Sequence, residues 1–267
     1  MKVLFLAGGY GTRLERDVLA NQSGKFHHLR GVAKPLVPVG GRPLISHWMD
    51  ILTKLHKVEE FYVVTNEKYV AQFEAWAQAW PNLQIVSDGT TDNETRIGAV
   101  RSIQLGVQHF QITDDLLVIG GDTLFYEDFD IQNFLEAFNE LQNKTKDACL
   151  VTCYNCAEHE TVKFGILEVD ERDVVTGFRE KPQPEETVSR RACPCFYLYS
   201  RNSLPLLQEF ISEKDRPFKE IDATGCFLQY VHTRKPVSVY KISGRFDVGG
   251  LQSYIVCDQY FMQKKGL

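Results

Sequence analysis

Short apolar runs alternate along this chain with stretches of helical period, and that alternation restricts the fold more than any single motif does. Strand-like runs are expected at residues 3–6, 61–65, 83–87, 116–119, 148–154, 164–169, 196–199 and 237–242. Between them, helical spacing of apolar residues is read near 44–55, 70–80, 97–110, 131–142 and 204–213. Strands that exchange with helices in this way build βαβ units around a largely parallel sheet. The expected fold is therefore α/β: a doubly wound, mostly parallel mixed sheet with helices on both faces. A chain of 267 residues, 43% hydrophobic and 24% charged, buries a sizeable core as a single domain. No internal repeat is visible, and no hexapeptide pattern predicts a C-terminal β-helix.

The first apolar run passes directly into Leu6-Ala7-Gly8-Gly9-Tyr10-Gly11-Thr12-Arg13-Leu14. Glycines at 8, 9 and 11 allow close backbone approach, so the N–H groups of this turn suit phosphate oxygens, and Arg13 adds a planar fork of donors. The plainer reading is a connection between strand and helix. The turn lacks the Gly-Lys-Ser/Thr ending of a P-loop and the Gly-x-Gly-x-x-Gly spacing of dinucleotide folds. Further on, Ala33-Lys34-Pro35-Leu36-Val37-Pro38-Val39-Gly40-Gly41-Arg42-Pro43-Leu44 places Lys34 in a proline-punctuated turn that cannot continue a helix and so holds the lysine in place.

Ligands of such sheets sit outside the carboxyl ends of the strands. Asp122 follows the run 116–119 and two glycines, and Asp247 precedes Val248-Gly249-Gly250, so both carboxylates are expected in that crevice. One strand-end aspartate is usually a cap or turn former; two provide the hard oxygen ligands that Mg²⁺ prefers. Glu180-Lys181-Pro182 reads by itself as an ordinary exposed ion pair.

A net charge of −5 leaves no basic stripe for a nucleic-acid backbone, so none is expected as a partner. The N-terminal apolar run is too short for a signal-peptide core, and no 18-residue apolar span exists, so the expectation is a cytoplasmic protein without a membrane. Seven cysteines suit a reducing compartment; Cys153 and Cys156 have metal-ligand spacing but no second pair at zinc-ribbon distance. His27 and His28 read as solvated loop, and Trp76 and Trp80, at i and i+4, read as packing.

The glycine turn and the lysine turn together resemble the signature of the sugar-phosphate nucleotidyltransferases, the family of glucose-1-phosphate thymidylyltransferases and their uridylyl, cytidylyl and guanylyl relatives. Ile85-Val86-Ser87-Asp88-Gly89 with Asn93-Glu94-Thr95-Arg96-Ile97-Gly98-Ala99, Leu117-Val118-Ile119-Gly120-Gly121-Asp122, Lys163-Phe164-Gly165-Ile166, Phe178-Arg179-Glu180-Lys181-Pro182 and Phe246-Asp247-Val248-Gly249 extend the likeness in the family's order over about residues 1 to 260. The resemblance implies a Mg²⁺-dependent transfer of a nucleotidyl group from dTTP or UTP to a sugar-1-phosphate, glucose-1-phosphate foremost, with release of pyrophosphate. It implies nucleotide binding by Leu6, Ala7, Gly8, Gly9, Gly11, Thr12, Arg13, Asp88, Gly89, Arg96 and Gly98. Arg13, Lys34, Asp122 and Asp247 become the catalytic set, the two aspartates being the metal ligands. Gly165, Glu180 and Lys181 become the sugar site, with Lys181 on the sugar phosphate and Gly165 against the ring. Arg96 has a second reading, as a helix-start residue paired with Glu94.

Departures from the family pattern accompany the likeness. Residues 14–33 separate Arg13 from Lys34 by more than is usual and are expected to act as a lid or to contact a neighbouring subunit. Cys193-Pro194-Cys195 stands where relatives have a small residue followed by glycine, which leaves sugar selection open. Arg245 replaces an aromatic residue and Gly250 a threonine. Other readings of the same residues are a catalytically silent relative that binds nucleotide sugar, and a cytidylyltransferase acting on a non-sugar phosphate. Without a β-helix the chain is expected as a monomer or as a homo-oligomer assembled through the globular domain.

Overall fold

The structure is a computed structural model that describes residues 1–126, 128–213 and 217–264. In chain order its elements are β1 (Lys2–Ala7), α1 (Thr12–Ala20), β2 (Pro38–Val39), β3 (Arg42–Pro43), α2 (Leu44–Leu52), β4 (Glu60–Thr65), α3 (Val70–Ala77), β5 (Leu83–Ser87), α4 (Ala99–His109), β6 (Leu116–Gly120), β7 (Thr123–Phe125) and α5 (Ile131–Lys144). They continue as β8 (Cys149–Asn155), β9 (Gly165–Val169), β10 (Val175–Glu180), β11 (Arg191–Ala192), β12 (Phe196–Tyr199), α6 (Pro205–Ser212), α7 (Lys219–Asp222), α8 (Thr224–Val231), β13 (Val237–Lys241), β14 (Arg245–Asp247) and α9 (Leu251–Lys264).

The main sheet runs β10-β9-β11-β8-β12-β6-β1-β4-β5, with β13 added beside β8. Its central strands are apolar throughout because both faces are covered. Side chains alternate between those faces: Val3, Phe5 and Ala7 of β1 join one core and Leu4 the other, while Leu117 and Ile119 of β6 part from Leu116 and Val118 in the same way. Helices α1, α2, α3, α5 and α9 bury residues in the first core, and α4, α6, α7 and α8 in the second. In the first core the Phe196 ring lies 4.9 to 5.5 Å from the rings of Phe125, Trp48, Phe134 and Phe129.

The sheet is doubly wound and mixed. Parallel pairing links β6-β1-β4-β5 and joins β13 to β8, whereas β12, β11, β9 and β10 enter antiparallel. From β1 the chain moves to β4 and β5 on one side, then returns to β6 on the other. The loops after β1 and β6 therefore leave in opposite directions and open a crevice between them, the topological switch point of an open α/β sheet. A separate ribbon of β7 with β14, antiparallel, stands beside this crevice.

Residues 14–33 are in part anchored to the core. They begin inside α1, whose Leu14 and Val18 are buried at helical spacing together with Leu29, and α1 packs on α9. The apolar i, i+4 pair makes this part of the segment a wall of the core. Among the described residues no helix is long and apolar enough to cross a membrane.

Candidate active site

A cleft of about 580 Å³ opens at the carboxyl ends of β1 and β6. Its first wall is the glycine turn. The carbonyl of Ala7 accepts from Thr65 Oγ1 (3.3 Å), that of Gly8 from Asn66 Nδ2 (3.0 Å) and that of Tyr10 from the Tyr69 hydroxyl (3.1 Å). In a trans peptide the N–H opposes the C=O, and among the described residues no peptide is cis, so the N–H groups of Gly8, Gly9 and Gly11 point away from those side chains. Gly11, at φ +64°, caps α1 in the left-handed region, where a Cβ is strained. Arg13, from the first turn of α1, lies against the turn after β14: a Cβ on Gly249 would stand 3.1 Å from its NH1.

Lys34 enters from a 3₁₀ turn, Lys34–Leu36, whose Pro35 packs against Gly121. Its ammonium is 2.6 Å from Asp122 Oδ2, with only 17% of the side chain exposed. Burial alone would lower the Lys34 pKa; the charge and hydrogen bond of Asp122, aided by Asp247, overcome that and hold it above the ordinary lysine value. Burial likewise opposes ionisation of Asp122, yet Lys34 and then Arg245 keep its pKa below the usual carboxylate range.

Asp122 is delivered by two backbone anchors, Gly120 N–H to the Cys195 carbonyl (2.8 Å) and Gly121 N–H to the Leu6 carbonyl (2.9 Å). Asp247 arrives from β14, in register with Thr123, and the next residue, Val248, donates its N–H to the Asp122 carbonyl at 3.1 Å. That ladder sets the two carboxylates on neighbouring backbones, 125 residues apart in sequence. Among the described residues no group of three or more His, Cys, Asp and Glu is placed to hold a metal. Two carboxylates are a hard oxygen donor set that fits Mg²⁺ when phosphate oxygens and water complete the shell.

The far end of the cleft is formed by Phe164, Gly165, Glu180, Cys193, Cys195, Tyr197 and Thr224. Gly165 is required here for a reason beyond a sugar ring. The tip of the Phe178 ring lies 2.3 Å from where a Cβ of Gly165 would stand and 2.2 Å from where one of Gly225 would stand, so the ring is clasped between two glycines. Burial raises the pKa of Glu180, with Lys181 pulling it back. Burial also pushes the Cys195 thiol up to about 12 and the Cys193 thiol well above the ordinary value, so both line the cleft as neutral thiols.

Of the residues singled out from sequence, Leu6, Ala7, Gly8, Gly9, Arg13, Lys34, Asp88, Arg96, Gly98, Asp122, Gly165, Glu180 and Asp247 border this cleft. Gly11, Thr12, Gly89 and Lys181 are not among the residues that border it. Gly11 and Thr12 instead start α1, and Gly89, at φ +75°, turns the exposed loop after β5. Lys181, at φ +50°, has its side chain 57% exposed and 3.7 Å from Glu180. Asp88 uses one carboxylate oxygen to close a turn onto Thr90, whose hydroxyl also meets that of Tyr10 at 2.7 Å. Arg96 grips Asp222 with two nitrogens (3.1 and 2.9 Å) and the Asn93 carbonyl with a third (2.9 Å), in place of the local pair with Glu94. Sequence reasoning missed Asp222, Thr224, Gly225 and the inward position of Arg245; the replacement of an aromatic residue at 245 was the one available signal.

The chain matches the nucleotidyl transferase family over residues 2–264 and belongs to that family. It is 28% identical over 190 residues to the glucose-1-phosphate thymidylyltransferase of Neisseria gonorrhoeae, an overlap covering 68% of this chain and 56% of that protein. It is 23% identical over 270 residues to the bifunctional protein GlmU of Methanococcus maripaludis (strain C5 / ATCC BAA-1333), covering 99% of this chain and 55% of that one. The chain thus spans about half the length of these curated relatives. A solved UDP-glucose pyrophosphorylase, complexed with UDP-glucose, shares the fold with a TM-score of 0.74 at 20% identity, covering 99% of each chain.

Proposed function

We propose that this chain is a Mg²⁺-dependent nucleotidyltransferase that joins a nucleoside triphosphate, dTTP or UTP, to a sugar-1-phosphate of the glucose-1-phosphate kind and releases pyrophosphate. The observation that carries the reading is the 2.6 Å Lys34–Asp122 pair, beside the strand that brings Asp247 into register with Thr123 and bordering the same cleft as the glycine turn. The names of the Neisseria relative, a glucose-1-phosphate thymidylyltransferase, and of the UDP-glucose pyrophosphorylase support the choice of base and sugar.

The acceptor phosphate is largely dianionic near neutral pH, its second pKa being about 6, so no protein base has to remove a proton. One of its oxygens forms a new bond to the α-phosphorus while the bond from that phosphorus to the bridging oxygen of the leaving pyrophosphate breaks in line. The turn at Gly8 and Gly9 and the side chain of Arg13 hold the triphosphate and receive the charge of the leaving group. Lys34 lies over the α- and β-phosphates, and Glu180 accepts from sugar hydroxyls. Asp122 and Asp247 would hold Mg²⁺, which supplies Lewis-acid neutralisation of the phosphoryl oxygens when bound.

Pyrophosphate release measured with Mg²⁺, each of five nucleoside triphosphates and a panel of sugar-1-phosphates tests the reading, with the product identified by mass. One strong pair is expected. Asp122→Asn and Arg13→Ala are each expected to lower turnover at least about 100-fold; full turnover in either variant removes that residue from the mechanism. Tight nucleotide-sugar binding with no turnover for any pair replaces the enzyme by a regulatory relative.

A further inference from the structure

We infer that Asp17 is a positioning residue: it ties α1 to the first turn of α9 and so holds Arg13 against the turn that carries Asp247. The inference rests on the transferase reading above, in which Arg13 holds the triphosphate. Among the described residues the Arg13 guanidinium has no hydrogen-bond or ion-pair partner of its own. Its place is therefore set by where α1 lies. The stem of Arg13 runs along the glycine pair after β14: a Cβ on Gly250 would stand 3.6 and 3.8 Å from its Cδ and Cγ, and one on Gly249 would stand 3.1 Å from NH1 and 3.9 Å from both carboxylate oxygens of Asp247. The groups that the reading assigns to the triphosphate and to the metal thus meet at this one turn.

Asp17 stands one helical turn after Arg13, on the same face of α1. Its Oδ2 accepts the N–H of Leu251, the first residue of α9, at 3.3 Å, while Oδ1 accepts from Arg16 Nε and NH2 at 3.3 and 3.1 Å. Every helix start leaves such N–H groups without partners in its own backbone, and the helix dipole favours a carboxylate there. The first turn of α9 holds no acidic residue, and Ser253 spends its hydroxyl oxygen on the N–H groups of Gly249 and Gly250, both at 3.1 Å. The charge comes instead from α1, 234 residues earlier in the chain. Gly250 leaves room for it, since a Cβ there would stand 2.7 Å from Asp17 Oδ2. One carboxylate therefore bridges the helix that carries Arg13 and the helix that follows Asp247, and fixes the spacing between those two side chains.

The experiment compares the wild type with Asp17→Ala, Asp17→Asn and the double variant Asp17→Ala/Gly250→Thr. Affinity for dTTP and UTP is measured by calorimetry in EDTA, so that no metal takes part, and KM for both substrates is measured with Mg²⁺ for the pair that the wild type turns over. Asp17→Ala is expected to weaken triphosphate binding and to raise the triphosphate KM, each at least about tenfold, with the sugar-phosphate KM within about twofold. Asp17→Asn, which keeps an acceptor for the Leu251 N–H, is expected between it and the wild type. A through-space effect has the opposite sign, because removing an acidic group beside Arg13 strengthens the binding of an anion. Tighter or unchanged triphosphate binding in Asp17→Ala therefore overturns the proposal. Asp17→Ala also loses a helix cap and is expected to melt about 2–4 °C lower. Gly250→Thr supplies a cap from the turn itself, so the double variant is expected to regain that Tm and to keep the weakened triphosphate binding. Recovery of both together marks a cap and nothing more, and overturns the proposal. If Asp17→Ala does not fold, the double variant is read on the same constants. A wild type that neither binds nor turns over a triphosphate sinks the transferase reading, and the role with it. Turnover by the wild type with unchanged triphosphate constants in the variants removes Asp17 alone.

Discussion

Glu180 ends β10 with its carboxyl in the cleft wall, where burial favours the neutral acid and Asp222 adds to that push while Lys181 opposes it. Its folded-state pKa is thus raised above the unfolded value, so the stability tied to the protonated form is fully present below the unfolded pKa of about 4.5 and is lost as pH rises through the folded one. Glu180→Gln removes the cost of burying the charge. Its Tm is expected above that of the wild type at pH 7, with the difference shrinking towards pH 4.5. A variant less stable than the wild type at pH 7 shows instead that the Lys181 pair outweighs desolvation. At this scale Arg13, Lys34, Asp122 and Asp247 were legible from sequence because their neighbours, glycines and prolines, announce where the backbone turns. Lys181 does not border the cleft, and its backbone stands at φ +50°, an angle that no local pattern specifies.

The clasp around Phe178 belongs to the scale of elements, since it locks the start of α8 onto β10 and shapes the far end of the cleft. A methyl on Gly225 collides with the ring and with Glu180 Oε2, 2.8 Å away. Gly225→Ala is therefore expected to destabilise the chain by about 1–3 kcal/mol through overpacking, read as a lower midpoint in urea with an unchanged slope. An unchanged midpoint means that β10 and α8 separate at no cost. The helix of residues 224–231 and the strand of residues 175–180 were both absent from the expected elements. Gly177 interrupts the alternation of the strand, and the helix begins within a run of small residues, Ala223-Thr224-Gly225, that offers no apolar stripe. The runs behind β1, β4, β6 and β12 were read to within a residue or so, because strands buried on both faces need largely apolar sequence.

Over the whole molecule, the two cores on opposite faces of one sheet give the cleft a rigid floor. Phe196, fully buried, ties β12 to α2, α5 and the β7 ribbon that carries the backbone next to Asp122. Phe196→Ala is expected to cost about 3–5 kcal/mol in denaturant unfolding, and a loss below about 1 kcal/mol shows that the aromatic cluster collapses around the cavity. The sequence by itself determined the α/β class, the glycine turn, the held lysine and the strand-end aspartates, because each follows from local backbone chemistry and periodicity. Only the tertiary structure decided which cations face the cleft. Arg96 meets Asp222 across 126 residues and Arg245 meets Thr123 across 122, and pairings of that separation depend on which strands become neighbours, not on the residues beside them in the chain.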